Sequence, residues 1–305
     1  MLGRQALVRR SRQPRQRERF RRVDGGGARS PGYEPNLAEL LARRDQLRWH
    51  TCDTLVPAQL TKLFHEVKPD AVIHTAALAD IDFCQAHPEL ARAVNVDLTR
   101  TLADLCRDTG AKLVFCSTDT IFDGEHAPYN EDARPGPVNF YAETKVEAEQ
   151  IVARLGAQAV IARLSLVVGL PVLGAGNSFL ARMVATLKDG RLVAATEHEV
   201  RTPVDVITVG SALLELAAGN QQGIFHLAGH DRLSRFEIAQ KISTRFGFPK
   251  ELVTAQAVTT SPGRAARPRD VSLDNAKACA HLKTPMRTLA EGLSLILKMS
   301  ETPPL

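Results

Sequence analysis

From about residue 57 onward, segments with a helical spacing of apolar residues alternate with short apolar runs that are typical of buried strands. The first helical segment covers residues 57–66, and the strand-like run at residues 71–74 follows a break that contains proline. A longer helical stretch covers residues 86–109 and ends at Gly110, since glycine often terminates a helix. The same spacings predict strands at 112–116 and 159–162 and a helix at 140–155.

Strands that are separated by helices of this length predict right-handed crossovers, and therefore an α/β fold with a doubly wound parallel sheet of the Rossmann type. In such sheets the ligands lie at the carboxyl ends of the strands. Thr75-Ala76-Ala77 follows the first of these strands, and Ser117-Thr118-Asp119 follows the second. Both segments are therefore candidates for a binding site.

The pattern changes after residue 170 and indicates a smaller C-terminal lobe. Helices are predicted near 177–189, 206–218, 234–246 and 286–298, with strands at 192–195 and 224–227. We divide the chain into an Arg-rich irregular segment (1–50), a Rossmann-type core (51–170) and a mixed α/β substrate-binding lobe (171–305). We expect some of the lobe's chain to cross back to the core.

The net charge of +5 is distributed unevenly along the 305 residues. Residues 1–50 contain thirteen Arg, no Lys and five acidic residues, a net charge of +8, which leaves −3 for the remainder. A mildly acidic body argues against nucleic acid as a partner. No apolar run approaches the roughly 20 residues that span a bilayer, and residues 1–30 lack the apolar region expected of a secretory signal. We therefore expect a cytoplasmic protein that does not enter a membrane.

Five cysteines are scattered through the sequence, without a C-x-x-C pair or the spacing of metal ligands. We expect free thiols that act mostly as small buried hydrophobic groups, and no metal site.

Tyr141 and Lys145 are four residues apart, which places them on one face of the predicted helix. An ammonium group near a phenol lowers the phenol's pKa, and such a tyrosine can protonate a carbonyl oxygen while a hydride reaches the carbon. A hydroxyl from Ser117 or Thr118 can orient the same oxygen. The Tyr–Lys spacing alone is weak evidence, but here it follows a Ser-Thr pair at a strand end by a little over twenty residues.

These segments together resemble the extended short-chain dehydrogenase/reductases, and within them the dTDP-4-dehydrorhamnose reductase group. The resemblance covers about residues 57–285. It rests on His74-Thr75-Ala76-Ala77, Asn95-Val96-Asp97, the S-T-D-x-x-F-D-G block at 117–124, Tyr141 to Lys145, G-I-F-H-L-A-G at 223–229, and the R-P-R-x-x-x-L-D block at 267–274.

The resemblance implies a role for each matching residue. Tyr141 would donate the proton, Lys145 would hold the nicotinamide ribose and tune the tyrosine, Thr118 would be the hydroxyl partner, and Ser117 would be its substitute. The cofactor, NADPH or NADH, would contact Ala76, Ala77, Asn95 and Lys145. The substrate, a 4-keto-deoxy nucleotide sugar, would contact Thr120, Phe122, Arg201 and Arg267.

Simpler interpretations stay open for two of these residues, because Asn95 can serve as a bridge within a helix and Arg267 can lie in a solvated loop. The sequence also departs from the group at Thr120, where the group usually has tyrosine. That difference affects the prediction of which sugar is bound.

The N-terminus departs from the family pattern of a strand followed by G-x-x-G-x-x-G, the motif that holds the cofactor pyrophosphate. Residues 1–10 look like the end of that motif and the start of its helix, with Gly3 as the third glycine. We therefore expect the first strand to be absent, and residues 11–48, rich in Arg, Pro and Gly, to be disordered in large part. The strand at 71–74 would then lack a neighbour, and its free edge makes a homodimer possible.

Two other functions remain as alternatives to a reductase. The chain can be a non-catalytic regulatory subunit of the same fold, similar to the beta subunit of methionine adenosyltransferase, which resembles this group. Nucleic-acid binding through the Arg-rich arm ranks last, because such segments usually stay solvated.

Overall fold

The computed structural model describes residues 5–9, 47–171, 178–256 and 264–301. Its strands are β1 (Gln5–Arg9), β2 (Leu47–Thr51), β3 (Ala71–His74), β4 (Lys112–Thr118), β5 (Ala159–Leu164), β6 (Val167–Val168), β7 (Val193–Thr196), β8 (Val200–Arg201), β9 (Val204–Asp205), β10 (Gly223–Leu227), β11 (Leu233–Ser234) and β12 (Val253–Gln256). Its α-helices are α1 (Pro57–Val67), α2 (Ile81–Ala86), α3 (Pro88–Arg92), α4 (Leu98–Thr109), α5 (Phe140–Ala153), α6 (Phe179–Lys188), α7 (Val206–Ala218), α8 (Arg235–Arg245), α9 (Ala276–His281) and α10 (Leu289–Glu301).

A four-stranded parallel sheet forms the centre of the molecule, in the order β10-β5-β4-β3. Side chains of β4 alternate between its two faces. Leu113 and Phe115 pack in one apolar cluster with α1, α4 and α5, whereas Val114 and Cys116 pack in another with α7. Helices therefore cover both faces, and the predicted α/β, doubly wound Rossmann-type sheet is confirmed.

Most of the predicted elements have counterparts in the structure. The helices expected near 177–189, 206–218, 234–246 and 286–298 correspond to α6, α7, α8 and α10. The strand expected at 224–227 is β10, which pairs with β5 and so returns to the central sheet. That position agrees with the expectation that some C-terminal chain crosses back, although the division at residue 170 stays a prediction.

The helix expected over 86–109 differs, because it is interrupted. It consists of α3, a π-helical turn at Ala93–Asp97, and α4. A π turn inserts one extra residue into a helix, so its position cannot be read from apolar periodicity. Helix α2, whose first turn is capped by the Asp80 carboxylate, was not predicted because it has only six residues.

A third apolar cluster is formed outside the central sheet and combines α6, α8 and α10 with residues of β7 and β12. Strand β7 pairs with β12, β6 with β9, and β8 with β11. The R-P-R-D-V-S-L-D segment connects this region to the core, since it bridges to Tyr129 through Leu273 and to Val200 through Asp270.

The N-terminal residues differ from expectation where they are described. We expected Gln5–Arg9 to begin a helix, but this segment is strand β1, and it pairs antiparallel with β2, which begins within the segment expected to be irregular. Pairing gives each backbone the hydrogen bonds that an isolated helical turn would lack. Gly3 and residues 10–46 lie outside the described residues, so the expectations about them stay predictions. Among the described residues, β3 has a strand partner, β4, along one edge only.

Within the described part of the chain, no helix is both long enough and apolar enough to span a bilayer.

Candidate active site

Strand β4 ends in two buried hydroxyl residues, Ser117 and Thr118, and the helical turn that follows carries a third, Thr120. The Thr118 hydroxyl lies 3.0 Å from that of Thr120 and donates to the Asp119 carboxylate at 3.3 Å. Thr118 also caps the following helical turn by accepting a hydrogen bond from the Thr120 backbone. By contrast, the buried Ser117 hydroxyl has no hydrogen-bond partner among the described residues. Buried hydroxyls are usually paired, so an unpaired one at the carboxyl end of a strand is unusual.

Tyr141 lies in the first turn of α5, whose N-cap is the side chain of Asn139. The ring is buried in a small apolar cluster with Cys84 and Ala91. Burial raises the pKa of the phenol above its ordinary value, and the nearby Thr118 hydroxyl opposes this shift by hydrogen bonding. The phenol therefore keeps its proton at neutral pH, and Tyr141 and Thr118 are brought together as the sequence predicted.

Lys145 lies one turn after Tyr141, but its ammonium is held by the sheet. Its Nζ donates to the Cys116 carbonyl at 2.7 Å and lies 4.0 Å from the centre of the Phe115 ring. Burial lowers the pKa of Lys145 to about 8. We expected the lysine to lower the pKa of the tyrosine. That expectation is wrong for this arrangement, because the loss of hydration on burial dominates the shift at Tyr141.

Asn95 occupies the π-helical turn and fastens the loop after β3. Its Oδ1 accepts from the Leu78 backbone at 2.8 Å, and its Nδ2 donates to the Leu78 carbonyl at 3.1 Å. The same Nδ2 reaches the Thr144 hydroxyl on α5 at 3.0 Å. Asn95 therefore holds the loop that contains Ala76 and Ala77, both partly exposed, against the helix that carries Tyr141.

Phe122 does not occupy the position that we expected for a substrate contact. Its ring is fully buried and stacks on Tyr129 at 4.1 Å, with His226 at its edge. We correct this expectation, because a ring without exposed surface cannot touch a ligand. The neighbouring Thr120 lies beside Thr118 and is compatible with its expected position near the substrate.

Arg201, from β8, reaches the site through Asp119. Its Nε lies 3.6 Å from Asp119 Oδ2, and its Nη2 lies 3.9 Å from the Glu199 carboxylate. The Ser165 hydroxyl also donates to Asp119 Oδ2, at 3.2 Å. Burial raises the pKa of Asp119, while Arg201 and the hydroxyl donors lower it. Arg201 is thus placed beside Asp119, which directly follows Thr118, and its expected contact with the substrate stays a prediction.

Arg267 is also near, but its guanidinium is occupied. Its Nη2 lies 2.8 Å from Asp82 Oδ2, and its Nη1 donates to the Ala265 carbonyl at 2.8 Å. Asp82 also accepts from the Ala265 backbone at 2.9 Å, and Asn139 donates to the Ala266 carbonyl. The open alternative of a solvated loop is therefore wrong for Arg267, because the arginine is part of a contact that holds residues 264–267 over α2.

Sequence reasoning missed three charged residues around this site, namely Asp82, Asp119 and Arg235. Asp119 was part of a quoted motif, and its position directly after the hydroxyl pair was an available signal. Asp82 and Arg235 gave no such signal, because their partners are distant in sequence. Among the described residues, no group of His, Cys, Asp and Glu side chains is arranged to hold a metal ion.

The described residues fit the nicotinamide end of a dinucleotide cofactor. The evidence is the placement of Tyr141 beside Thr118 and of Lys145 on the Cys116 carbonyl, together with the partly exposed loop at Ala76 and Ala77. The turns that follow β3 and β4 contain no run of glycines, and in the described part of the chain no other turn supplies a phosphate cradle of the family's type.

Comparison with known proteins agrees with this arrangement. A family model described as the RmlD substrate binding domain matches residues 34–301. The beta subunit of methionine adenosyltransferase 2 from Xenopus laevis is 30% identical over 241 residues, which is 77% of this chain and 71% of the relative. The probable low-salt glycan biosynthesis reductase Agl14 from Haloferax volcanii is 30% identical over 253 residues, covering 81% of this chain and 83% of the relative.

Two solved structures extend the agreement to the fold. The dTDP-4-dehydrorhamnose reductase of Bacillus anthracis, in complex with NADP, is 26% identical with a TM-score of 0.74, covering 81% of this chain and 87% of that one. A hypothetical dTDP-4-dehydrorhamnose reductase from Sulfolobus tokodaii is 30% identical with a TM-score of 0.73, covering 85% and 95%. The resemblance inferred from the motifs is confirmed: the chain belongs to the RmlD substrate-binding-domain family, in the dTDP-4-dehydrorhamnose reductase-like group of extended short-chain dehydrogenase/reductases.

Proposed function

We propose that this protein is an NADPH- or NADH-dependent reductase that acts on the keto group of a 4-keto-deoxy nucleotide sugar. The observation that carries the proposal is that Tyr141 lies beside Thr118 at the carboxyl end of β4, where the Ser117 hydroxyl also ends the strand without a partner among the described residues. The Bacillus anthracis relative, solved with NADP, supports a nicotinamide cofactor.

Tyr141 is the proton donor in this proposal. Its raised phenol pKa means that the donor form is present at neutral pH, which a general acid requires. The cofactor, when bound, supplies a hydride to the carbonyl carbon. The phenol gives its proton to the carbonyl oxygen, while the Thr118 and Ser117 hydroxyls fix the position of that oxygen.

Lys145 contributes a buried positive charge one helical turn after Tyr141. Its ammonium is anchored on the Cys116 carbonyl and the Phe115 ring, so its position is fixed before a ligand arrives. A fixed cation stabilises the negative charge that develops when a carbonyl is reduced. Asn95 supports the same site from behind, by holding the loop after β3 against α5.

The test is turnover of dTDP-4-dehydrorhamnose by the full chain, followed as loss of reduced-nicotinamide absorbance with NADPH and with NADH in turn. The variant Tyr141→Phe should lose at least about 100-fold in kcat, the scale of general-acid catalysis. Tyr129→Phe is the matched control, because the Tyr129 hydroxyl serves the turn at Asp123 and Gly124. It should keep kcat within a few-fold, even where stability falls.

Two results would contradict the reductase. One is a Tyr141→Phe variant that turns over at the rate of the unaltered chain. The other is a complete lack of turnover by the unaltered chain with both cofactors, while the folded protein is intact by circular dichroism.

A second candidate function has a specific observation in its favour. The Xenopus laevis relative at 30% identity is a subunit of methionine adenosyltransferase, so we also propose, as the alternative, a regulatory subunit without catalysis of its own. Co-purification with a methionine adenosyltransferase catalytic subunit tests it. Under this alternative, a stable complex forms and is unaffected by Tyr141→Phe.

Location and assembly are further proposals. We propose a cytoplasmic protein, because its cysteines are free thiols, as is usual in a reducing compartment. We also propose a homodimer. Among the described residues β3 pairs with β4 along one edge only, and an unpaired strand edge favours association with a second copy. Sedimentation velocity of the purified chain would measure the mass directly.

A further inference from the structure

The Thr118 hydroxyl has three polar contacts in the turn that follows β4, and two of them are with Thr120. The Thr120 backbone N–H donates to Thr118 Oγ1 at 3.2 Å, and the Thr120 hydroxyl lies 3.0 Å from the same oxygen. Thr118 Oγ1 itself donates to Asp119 Oδ1 at 3.3 Å. All three residues are buried, so the protein rather than solvent sets the direction of these hydrogen bonds.

A count of protons gives the direction of the bond between the two threonine hydroxyls. A hydroxyl has one proton to donate and two lone pairs with which to accept. Because Thr118 donates its proton to Asp119, Thr120 is the donor in the contact between the hydroxyls. The N–H and the O–H of Thr120 therefore fill both lone pairs of Thr118, and Thr118 is left as a donor only.

This arrangement affects Tyr141, which is a neighbour of Thr118. The Thr118 hydroxyl acts on the pKa of the Tyr141 phenol through a hydrogen bond, so the two oxygens lie close together. Two buried hydroxyls at such a distance ordinarily pair with each other, and the proton of one is then used within the pair. With its lone pairs filled by Thr120, Thr118 cannot accept the proton of the phenol. That proton stays available for a ligand.

The Thr118 proton can also turn to a ligand, because its present acceptor holds it weakly. The 3.3 Å distance to Asp119 is long for an O–H···O hydrogen bond, which is usually about 2.7–2.8 Å. Asp119 keeps other contacts when this one is released, since the Ser165 hydroxyl donates to its Oδ2 at 3.2 Å and Arg201 Nε lies 3.6 Å from the same atom. A carbonyl oxygen only accepts, and donors aimed at it gain strength as it becomes negative on reduction.

We propose that Thr120 is a positioning residue that makes Thr118 a hydrogen-bond donor only, and so directs the protons of Thr118 and Tyr141 to one keto oxygen. The inference deepens the proposed function and rests on it for the identity of the ligand. Thr118 keeps its proton throughout, whereas the proton of Tyr141 is transferred to the oxygen as the hydride reaches the carbon. The role of Thr120 is exerted through Thr118 and requires no contact between Thr120 and the substrate.

The experiment is steady-state turnover of dTDP-4-dehydrorhamnose by the full chain. Thr120→Val keeps the shape of the side chain and removes the hydroxyl, which frees a lone pair of Thr118 to accept the proton of the phenol. We expect kcat to fall by about tenfold, the scale of one hydrogen bond, with KM within about threefold of the unaltered chain. Thr120→Ser retains the hydroxyl and should keep kcat within about threefold.

Thr101→Val is the matched control on α4. The Thr101 hydroxyl donates to the Asp97 carbonyl within its own helical segment, so its removal should leave kcat within about twofold. A Thr120→Val variant with the kcat of the unaltered chain would overturn the positioning role. Equal losses of kcat in Thr120→Val and Thr120→Ser would overturn it too, because the hydroxyl would then not be the group that acts.

A double variant shows whether Thr120 acts through Thr118. Once Thr118→Val has removed the oxygen that Thr120 orients, the further change Thr120→Val should have no effect on kcat. Losses that multiply in the double variant would place the action of Thr120 elsewhere and overturn the proposal. The result to expect is one kcat, common to Thr118→Val and to the double variant.

Unfolding in urea tests the same contact without turnover. The effects of Thr118→Val and Thr120→Val on the unfolding equilibrium constant should be coupled by about threefold or more, whereas those of Thr118→Val and Thr101→Val should multiply. No coupling between the first two overturns the contact, whatever the kcat values are. Absence of turnover by the unaltered chain would overturn the reductase together with this role. Full kcat in Thr120→Val beside a large loss in Tyr141→Phe would overturn the role of Thr120 alone.

Discussion

Glu149 and Arg163 form an ion pair that is almost completely removed from solvent, with side-chain exposures of 7% and 3%. Arg163 donates from Nε to Glu149 Oε1 at 3.1 Å and from Nη2 to Oε2 at 2.9 Å, so the contact is a two-pronged fork. The arginine also lies 5.3 Å from the centre of the Phe122 ring. Because Glu149 is on α5 and Arg163 is on β5, the pair fastens the catalytic helix to the sheet.

Removal of one partner from this pair should destabilise the fold strongly. Glu149→Gln leaves the buried guanidinium without a compensating charge, and we expect a loss of about 3–5 kcal/mol in the free energy of unfolding. The double replacement Glu149→Leu with Arg163→Met should lose less, because no buried charge remains. Urea unfolding followed by circular dichroism measures both values.

An exposed pair supplies the control for that measurement. Lys62 and Glu66 on α1 are separated by 4.0 Å, with side-chain exposures of 78% and 57%. Glu66→Gln should change the free energy of unfolding by about 0.5 kcal/mol or less, as is usual for surface pairs. Equal effects of Glu66→Gln and Glu149→Gln would show that burial does not strengthen the inner pair.

Lys145 should give the protein a pH dependence of stability above neutral pH. Its pKa falls from 10.5 to about 8 in the folded state, because burial removes the hydration of the ammonium. Below pH 8 the lysine is protonated in both states, so its full destabilisation is present. Between the two pKa values the unfolded chain binds more protons, and stability rises with pH.

The variant Lys145→Met lacks this titration and fits the same space. We expect its advantage in unfolding free energy over the unaltered chain to shrink by about 2 kcal/mol between pH 7 and pH 10. Urea midpoints across that range provide the measurement. Lys62→Met, an exposed lysine that stays hydrated on folding, is the control and should show a constant difference from the unaltered chain. A constant difference for Lys145→Met as well would contradict the burial argument.

The sequence was sufficient for the parts of the site that depend on local spacing. A strand of alternating apolar residues places Ser117 and Thr118 at its carboxyl end, and a four-residue spacing places Lys145 one turn after Tyr141. Both follow from the periods of a strand and a helix, so the central strands and helix α5 could be predicted. Conversely, the periods carry no information on which side chain becomes fully enclosed, and the burial of Phe122 was therefore missed.

Contacts between distant segments were beyond the reach of pattern reasoning. Asp82 and Arg267 are 185 residues apart, and only the folded chain brings them to 2.8 Å. Arg235 was unremarkable in the sequence, because a charged residue at the start of a helix is common. The direction of the Lys145 ammonium was also unpredictable, since the helix fixes its Cβ but the Cys116 carbonyl fixes its Nζ.

Asn95 should prove to be a structural clamp whose loss loosens the loop after β3. Asn95→Ala leaves the Leu78 backbone N–H and carbonyl without their side-chain partners, at a cost of about 1–3 kcal/mol in unfolding free energy. Asn95→Asp keeps an acceptor but loses the amide donors and buries a charge, so it should be at least as destabilising at pH 7. Asn130→Ala, at an exposed asparagine that accepts from the Asp132 backbone, is the control.

Hydrogen exchange locates that effect. The Leu78 amide should exchange faster in Asn95→Ala than in the unaltered chain, whereas amides of β5 should change only as much as global stability does. Unchanged protection at Leu78 would mean that the loop is held by other contacts.

The contact between Asp82 and Arg267 should hold residues 264–267 in place, with little effect on the free energy of global unfolding. The Asp82 side chain is 47% exposed and that of Arg267 18%, so Asp82→Ala should cost about 1 kcal/mol or less in unfolding free energy. The same change removes the acceptor of the Ala265 amide, whose exchange should accelerate. Asp104→Ala breaks an exposed pair with Arg107 on α4 and should leave Ala265 unaffected.

The charge of Asp82 limits the contact with Arg267 to a defined pH range. The hydrogen bond from Arg267 is the largest factor that holds the pKa of Asp82 below its ordinary value. Because the folded value is the lower one, the contact stabilises fully above the unfolded pKa of about 3.9 and is lost as pH falls through the folded value. The Ala265 backbone amide should therefore be protected from hydrogen exchange at pH 5. Near pH 3 its protection should decline. Loss of protection already at pH 5 would show that ionised Asp82 is not what holds residues 264–267 in place.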